Sequence, residues 1–150
     1  MSAFPDTSFL CSVYRTQIHS PRADAFMVTQ TGPISVSTLL LLEFRQSARF
    51  QVRLHAKDRT KGFPKAEATQ MLKDLQSDLR TRVFEVVPVD WAAVHQLAED
   101  LSARFTEQNG HRLADILHVA TALHLGAADF LSFDANQQLL AKAEGLKIAV

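Results

Sequence analysis

The chain has 150 residues, 47% of them hydrophobic and 21% charged, which is the composition of one globular domain and excludes an intrinsically disordered polypeptide. Its single cysteine, Cys11, excludes an intramolecular disulfide, and the lack of an uninterrupted apolar run of membrane-spanning length leads us to expect a cytoplasmic protein. The formal net charge is zero but unevenly divided, since residues 1–82 carry 12 Lys/Arg and 7 Asp/Glu, a balance of +5, whereas residues 83–150 carry 4 and 9, a balance of −5.

Strand and helix signals alternate along the chain. Short runs of apolar, β-branched and aromatic residues between turn residues predict strands. In chain order the predicted strands are 2–4, 34–36, 83–89, 129–133 and 147–150. Apolar residues at helical spacing, preceded by capping residues, predict helices. The predicted helices lie at about 9–14, 20–30, 38–56, 65–80, 91–108, 113–125 and 135–144.

Residues at the element ends support these boundaries. Pro5 has no N–H for a sheet ladder, so we expect it to stop or distort the first strand. Ser20 followed by Pro21 predicts an N-cap and a helix start, and Asp90 predicts another N-cap. The alternation of strands and helices, without an internal repeat or linker, predicts a single α/β domain over residues 1–150 with a largely parallel central sheet.

Four acidic residues fall near the ends of these elements. Asp6 follows the first strand, Glu43 lies early in the helix after the second strand, Asp115 lies near the start of its helix, and Asp134 follows the strand 129–133. Because ligands of parallel sheets bind beyond the carboxyl ends of the strands, we expect these carboxylates to converge. Clustered carboxylates repel one another unless protons or cations neutralise them, and oxygen ligands suit Mg²⁺ or Mn²⁺. One or two such ions would activate water for attack on a phosphodiester.

Most of the four acids also have a purely structural explanation. Asp6 and Asp115 can be helix-start carboxylates that interact with the helix dipole, and Asp134 can cap the last helix. Glu43 is harder to explain in this way, because it is the only acid beside four consecutive leucines. The metal-site interpretation therefore depends on the joint placement of all four.

Four parts of the sequence together resemble the PIN-domain family. They are 6-DTSFL-10, Glu43, 112-RLADILHVATAL-123 and 130-FLSFDANQQLLAKAEGL-146, and they follow the order and spacing of that family. Many members of the family are metal-dependent ribonucleases, including the VapC-type toxins of bacterial toxin–antitoxin pairs. Two features depart from the family pattern. Ala3-Phe4-Pro5, rather than a β-branched strand, precedes the first acid, and the basic turn and helix over 57–80 match no motif.

The resemblance assigns site residues by position. It implies an acidic quartet that binds Mg²⁺ or Mn²⁺, formed by Asp6, Glu43, Asp115 and Asp134. Ser132 matches the family's small hydroxyl residue two positions before the last acid. Thr7 or Ser8 matches its polar residue after the first acid.

Two more residues accompany Asp115. His118 lies three residues after it on the same helical face, and Arg112 lies three residues before it. An Asp/His pair can hold zinc, but zinc sites need more nitrogen or sulfur ligands, so we expect His118 to be a hydrogen-bonding or packing residue at the site. We expect Arg112 either to counter the acids and grip a phosphate or to be a surface salt-bridge partner.

The helix 38–56 and the turn after it carry a basic stripe. Its members recur every four residues, namely Arg45, Arg49, Arg53 and Lys57. This stripe can follow a nucleic-acid backbone, since phosphate contacts dominate such binding, or it can be an ordinary solvated face. The ten phenylalanines form no evident ladder for stacking bases, so we expect them to pack in the core.

Together these observations predict a Mg²⁺- or Mn²⁺-dependent ribonuclease. The resemblance further implies an RNA substrate, a small antitoxin protein that masks the site, and a homodimer. One alternative is a catalytically silent PIN-like module that binds nucleic acid or protein, which an incomplete acidic quartet would favour. Another is a receiver-type signalling domain, which expects adjacent acids after the first strand and a lysine beyond a late strand, and neither feature is evident.

Overall fold

The computed structural model describes residues 3–150, so Ser2, the first residue of the predicted strand 2–4, lies outside the described residues. The strands are β1 (Ala3–Pro5), β2 (Ile34–Val36), β3 (Phe84–Val86), β4 (Asp129–Leu131) and β5 (Lys147–Ile148). The helices are α1 (Thr7–Tyr14), α2 (Ser20–Val28), α3 (Thr38–Lys57), α4 (Lys65–Arg80), α5 (Trp91–Leu101), α6 (Glu107–Asn109), α7 (Leu113–His124) and α8 (Ala135–Ala143). A π-helical segment, Ser102–Thr106, joins α5 to α6.

The strand pairings among the described residues are all parallel. β1 pairs with β4 and β4 with β5 in one sheet, and β2 pairs with β3 in another. β1 and β2 also lie side by side, with Cα atoms within 8 Å of one another, so the two sheets adjoin at these strands. The predicted α/β class with a parallel central sheet is therefore confirmed.

The neighbouring strands β1 and β4 end at the same edge of the sheet. Their register pairs Pro5 with Leu131, which makes Asp6 and Ser132 the next residue on each strand. The N–H of Asp6 donates to the Leu131 carbonyl at 3.0 Å. β1 includes Pro5 and ends there, one residue later than predicted. Pro5 is tolerated in the strand because Asp6, the next residue, supplies the N–H that faces β4.

Three of the strands are shorter than predicted. β3 ends at Val86 rather than at residue 89, since Pro88 cannot donate to a ladder. β4 ends at Leu131 rather than at residue 133, because the N–H groups of the next residues bond to serine hydroxyls instead of a strand. β5 ends at Ile148 rather than at residue 150.

The predicted helices are found with small shifts at their ends. α3 begins after its N-cap Ser37, whose hydroxyl accepts from the Leu40 N–H at 3.0 Å, and α4 spans the predicted residues. Ser20 is the first residue of α2 rather than its N-cap, because its hydroxyl donates to the Ser12 carbonyl at 2.7 Å and so ties α2 to α1. α2 ends at Val28 rather than near residue 30.

Phenylalanines form much of the core, as predicted. The fully buried ones are Phe4, Phe9, Phe44, Phe84 and Phe130. They come from three strands and two helices, so the core joins the sheet to α1 and α3 and holds the strand ends in place. Within residues 3–150, no helix combines the length and the apolar character needed to cross a membrane.

Candidate active site

Asp6 is a fully buried carboxylate and the N-cap of α1. Its Oδ1 accepts hydrogen bonds from the Phe9 N–H at 3.0 Å and the Ser8 hydroxyl at 2.6 Å, and its Oδ2 accepts from the Ser132 hydroxyl at 2.5 Å. Burial raises the pKa of Asp6 from 3.8 to about 6, although these three hydrogen bonds and the charge of His118 act in the opposite direction. Asp6 therefore caps a helix, but its surroundings also make its charge costly.

Two serine hydroxyls connect Asp6 to the segment after β4. The Ser8 hydroxyl oxygen accepts from the Phe133 N–H at 2.9 Å, and the Ser132 hydroxyl oxygen accepts from the Asp134 N–H at 3.1 Å. Asp134 in turn caps α8, since its Oδ1 accepts from the Gln137 N–H at 2.9 Å. The two predicted hydroxyl residues thus lie between the first and the last acid of the predicted quartet.

Glu43 lies on α3 and is held by two side chains from other helices. Its Oε1 accepts hydrogen bonds from the Thr7 hydroxyl and from the Nε2 of His118, the latter at 3.1 Å. Burial acts to raise the pKa of Glu43, but the hydrogen bond and charge of His118, the Thr7 hydroxyl and the charge of Arg112 together hold it below its usual value. His118, which is fully buried, therefore orients this carboxylate, in agreement with its predicted hydrogen-bonding role.

Asp115 lies in the first turn of α7 and is largely buried. Arg112, three residues earlier and 83% exposed, places its Nε 3.6 Å from Asp115 Oδ2. Burial raises the pKa of Asp115, the charge of Arg112 lowers it, and the charges of Asp134 and Glu43 raise it. The mutual effect of these charges means that the three carboxylates lie within electrostatic reach of one another.

A cavity of about 400 Å³, here called the acid cavity, brings the predicted residues together. Its wall contains Glu43, Asp115 and Asp134, together with Thr7, Ser8 and Arg112. Asp6, Ser132 and His118 are fully buried and support the wall through the contacts described above. The cavity therefore joins residues that are more than 120 positions apart in the sequence.

The acid cavity has oxygen donors suited to a hard divalent cation. Within residues 3–150, no three His, Cys, Asp or Glu side chains form a ready-made cage for a metal ion. Mg²⁺, however, commonly binds through one or two carboxylates and keeps several of its waters. Besides its carboxylates, the wall carries Gln137, a buried side chain whose Oε1 has no hydrogen-bond partner among the described residues. This all-oxygen set fits Mg²⁺ or Mn²⁺ held partly through water.

Several wall residues were not predicted from the sequence. Gln46, Ser47 and Phe50 follow Glu43 by three, four and seven positions and therefore share its helical face. That spacing is the signal that would have identified them. Gln137 has no comparable signal, because only the packing of α8 brings it to the cavity.

The basic stripe does not belong to the wall of the acid cavity. Among the described residues that line it, none is Arg45, Arg49, Arg53 or Lys57. Arg45 follows Glu43 by two positions, which is about 200° around the helix, and Arg49 and Arg53 are exposed. Binding of nucleic acid by this stripe stays a prediction.

Comparisons with known proteins agree with this architecture. The sequence model of the PIN domain matches residues 3–143. No curated protein matches the sequence. The fold is similar to that of VapC20 from Mycobacterium tuberculosis, described as a sarcin-ricin loop cleaving toxin, with a TM-score of 0.67 and 19% identity over 99% of this chain and 98% of that one.

Two further solved structures are similar. PAE2754 from Pyrobaculum aerophilum has a TM-score of 0.62 and 17% identity, covering 99% of this chain and 90% of that one. FitAcB from Neisseria gonorrhoeae has a TM-score of 0.60 and 14% identity, covering 97% of this chain and 95% of that one. At these identities the likeness concerns the fold. Because the PIN-domain sequence model spans nearly the whole chain, the chain belongs to the PIN-domain family.

Proposed function

We propose that this chain is a Mg²⁺- or Mn²⁺-dependent endoribonuclease and the toxin of a toxin–antitoxin pair. The observation that carries the proposal is the shared wall of the acid cavity, where Glu43, Asp115 and Asp134 meet above the buried Asp6. Membership of the PIN-domain family and the similarity of fold to a sarcin-ricin loop cleaving toxin support it.

In this proposal each residue of the site has a defined task. Glu43, Asp115 and Asp134 would hold the ion, and Asp6 would supply further negative charge from below. When bound, the ion supplies activation of water and neutralisation of charge on the phosphodiester. Thr7 and His118 fix the Glu43 carboxylate, Ser8 and Ser132 fix Asp6, and the exposed Arg112 is available to a phosphate oxygen at the rim.

A single substitution tests the proposal. Asp115→Asn keeps the size of the side chain but removes one charge from the ion site. We expect RNA cleavage with Mg²⁺ or Mn²⁺ to fall by at least about 100-fold, because even changes behind direct metal ligands cost about 10–100-fold. Metal affinity measured by calorimetry should fall in parallel. The matched control is Asp24→Asn, an exposed acid on α2, which should leave both measurements unchanged.

A catalytically silent PIN-like module that binds nucleic acid or protein is the second candidate. The observation that favours it is the lack, within residues 3–150, of a ready-made cage of three metal-ligating side chains. The two candidates differ in the wild-type protein. RNA that stays intact with either ion, while still binding the protein, supports the silent module, and cleavage that survives in Asp115→Asn removes the assigned role of Asp115.

The proposal also includes a homodimer, a small antitoxin that masks the acid cavity, and a cytoplasmic location. An unpartnered apolar surface supports the dimer. Leu42 of α3 and Leu113 of α7, which are 61% and 73% exposed, line two adjoining cavities that share His95 and Leu117. Burying large exposed leucines against a second copy would be favourable. Sedimentation tests this part, since twice the mass of the chain supports the dimer and the mass of one chain contradicts it.

A further inference from the structure

A second cavity adjoins the acid cavity. It has a volume of about 340 Å³, and Ser47 of α3 lies in the walls of both. We call it the arginine cavity, because Arg15 is the one charged residue among the described residues that line it. Burial and the charges of Asp6 and Glu43 raise the pKa of the Cys11 thiol in its wall to about 11, so this thiol is neutral near pH 7. At neutral pH the wall of this cavity therefore carries one formal charge among the described residues, the positive charge of Arg15.

The two cavities follow one groove between α1 and α3. On α1, Thr7 lines the acid cavity and Arg15, the C-cap, lines the arginine cavity. On α3, Glu43 lines the acid cavity and Gln51 lines the arginine cavity. Eight residues separate the members of each pair, which corresponds to about 12 Å along a helix. That distance is the rise of roughly three to four stacked nucleotides.

The basic loop 58–64 closes the far end of this groove. Gly62 lines the arginine cavity with φ +58°, and a Cβ at this position would lie 2.1 Å from the Gln51 carbonyl oxygen. Only glycine permits so close an approach to α3. The Nδ1 of His55 also bonds to the Lys61 carbonyl at 3.1 Å. The segment 57–80, which matches no family motif, thus begins with a loop that is fastened over the groove.

Arg15 has hydrogen-bonding capacity that the protein does not use. Its Nε is buried and has no hydrogen-bond partner within residues 3–150. Glu67 Oε2 lies 3.6 Å from that Nε, so the two side chains form an ion pair at a separation that is too long for a hydrogen bond. The guanidinium group stacks 4.9 Å from the centre of the Phe63 ring, a contact that orients it, and the Arg15 side chain is still 35% exposed to solvent.

An exposed aromatic ring stands beside the acids. Phe50 lies in the wall of the acid cavity and is 51% exposed, although most other phenylalanines are buried in the core. Grooves that bind single-stranded nucleic acids combine positive charge with aromatic rings that stack bases. Phe50 and Arg15 provide both features along one groove.

We propose that the groove from Phe50 to Arg15 binds the single-stranded flank of the RNA substrate, with Arg15 holding a backbone phosphate about three to four nucleotides from the cleaved bond. Phe50 stacks a base of the same strand. This inference rests on the proposed function for its substrate class, and it assigns the main phosphate contact to a cavity rather than to the exposed stripe on α3.

The test measures binding apart from cleavage. Anisotropy of a fluorescent single-stranded RNA of about twelve nucleotides is followed with all variants in the Asp115→Asn background. Arg15→Gln should raise the dissociation constant about tenfold, as expected for the loss of a charge-assisted contact, and should flatten the plot of log affinity against log salt by about 0.7. A competitor RNA of about three nucleotides, bound at the acid cavity, is too short to extend to Arg15. It should therefore bind equally to the proteins with and without Arg15→Gln. Phe50→Ala should weaken the binding of both the long and the short RNA.

Three controls separate phosphate binding from a structural role of Arg15. Arg80→Gln removes an exposed arginine from the last residue of α4, about 20 Å along that helix from its first residue, Lys65. This control should leave RNA binding unchanged. Arg15→Lys keeps the charge but loses the planar stacking group, so it should bind RNA more tightly than Arg15→Gln and less tightly than the wild type. Glu67→Gln removes the carboxylate next to Arg15 and should tighten binding, whereas a merely structural ion pair would make it as harmful as Arg15→Gln.

The outcomes are distinct from those that test the nuclease. Unchanged RNA binding in Arg15→Gln, or equal weakening by Glu67→Gln, overturns the inference. If Arg15→Gln does not fold, as judged by circular dichroism, Glu67→Gln still decides it, because the proposal expects tighter RNA binding and a structural ion pair expects weaker binding. Arg15-dependent binding by a wild-type chain that cleaves no RNA would support the groove and the silent module while contradicting the nuclease.

Discussion

The effect of Asp6→Asn on stability distinguishes a functional carboxylate from an ordinary N-cap. The free energy of unfolding should rise if Asp6 is a functional carboxylate and fall if it is only an N-cap. The ionised side chain accepts three hydrogen bonds but is fully buried, and burial raises its pKa from 3.8 to about 6. Asparagine keeps one oxygen for the Phe9 N–H and the Ser8 hydroxyl, and its amide can donate to the Ser132 hydroxyl oxygen after that hydroxyl rotates. The substitution therefore removes the charge and retains the cap.

The size of the effect follows from the pKa. A folded-state pKa above the unfolded value means that the folded state binds the proton more tightly, so this contribution to stability is fully present below pH 3.8 and is lost as the pH rises through about 6. At about 1.36 kcal/mol for each pH unit, ionised Asp6 costs the metal-free protein about 3 kcal/mol at pH 8. Asp6→Asn should be nearly as stable as the wild type at pH 3.5 and up to about 3 kcal/mol more stable at pH 8.

Urea unfolding with a metal chelator, at pH values from 3.5 to 8, measures this difference. Asp90→Asn is the matched control, since Asp90 is an exposed N-cap whose Oδ1 accepts from the Ala93 N–H at 3.1 Å, and it should show no such gain. Added Mn²⁺ should stabilise the wild type more than Asp6→Asn, because a ligand stabilises the state that binds it. A loss of stability in Asp6→Asn at pH 8 would refute the reasoning and make Asp6 a structural cap.

Two other predictions concern Glu43 and the basic stripe. In His118→Leu, Glu43 loses the hydrogen bond and the charge of His118, so the pKa of Glu43 should rise. The acid limb of the cleavage–pH profile should then move to higher pH. The free energy of unfolding at pH 7 should fall by about 2 kcal/mol. If the acid limb does not move, His118 does not control the pKa of Glu43 and its assigned role is wrong. Replacing Arg49 and Arg53 together by glutamine should flatten the salt dependence of RNA binding by about one to two units with metal binding intact, and an unchanged slope would assign the stripe to solvent or a protein partner.

Local sequence determined most of the secondary structure of this protein. Capping residues act within one helical turn, so Ser37, Asp90 and Asp134 each identify a helix start without knowledge of the rest of the fold. The positions of the four acids after strands and in early helical turns likewise indicated one edge of a parallel sheet. The ends of the short strands were less predictable, because the ladder between β1 and β4 stops where serine hydroxyls replace backbone partners.

Only the tertiary structure decided which of the acids are buried, which line the cavity, and where the groove runs. Asp6 and Asp134 are both N-caps, yet packing buries the first completely and leaves the second in a cavity wall, and burial sets the cost of a charge. The sequence marks Arg45, Arg49 and Arg53 as the evident cations, whereas the fold places Arg15 in the groove beside Gly62. Burial and proximity arise when distant segments pack together, and no property of the local sequence specifies which side chains those segments will enclose.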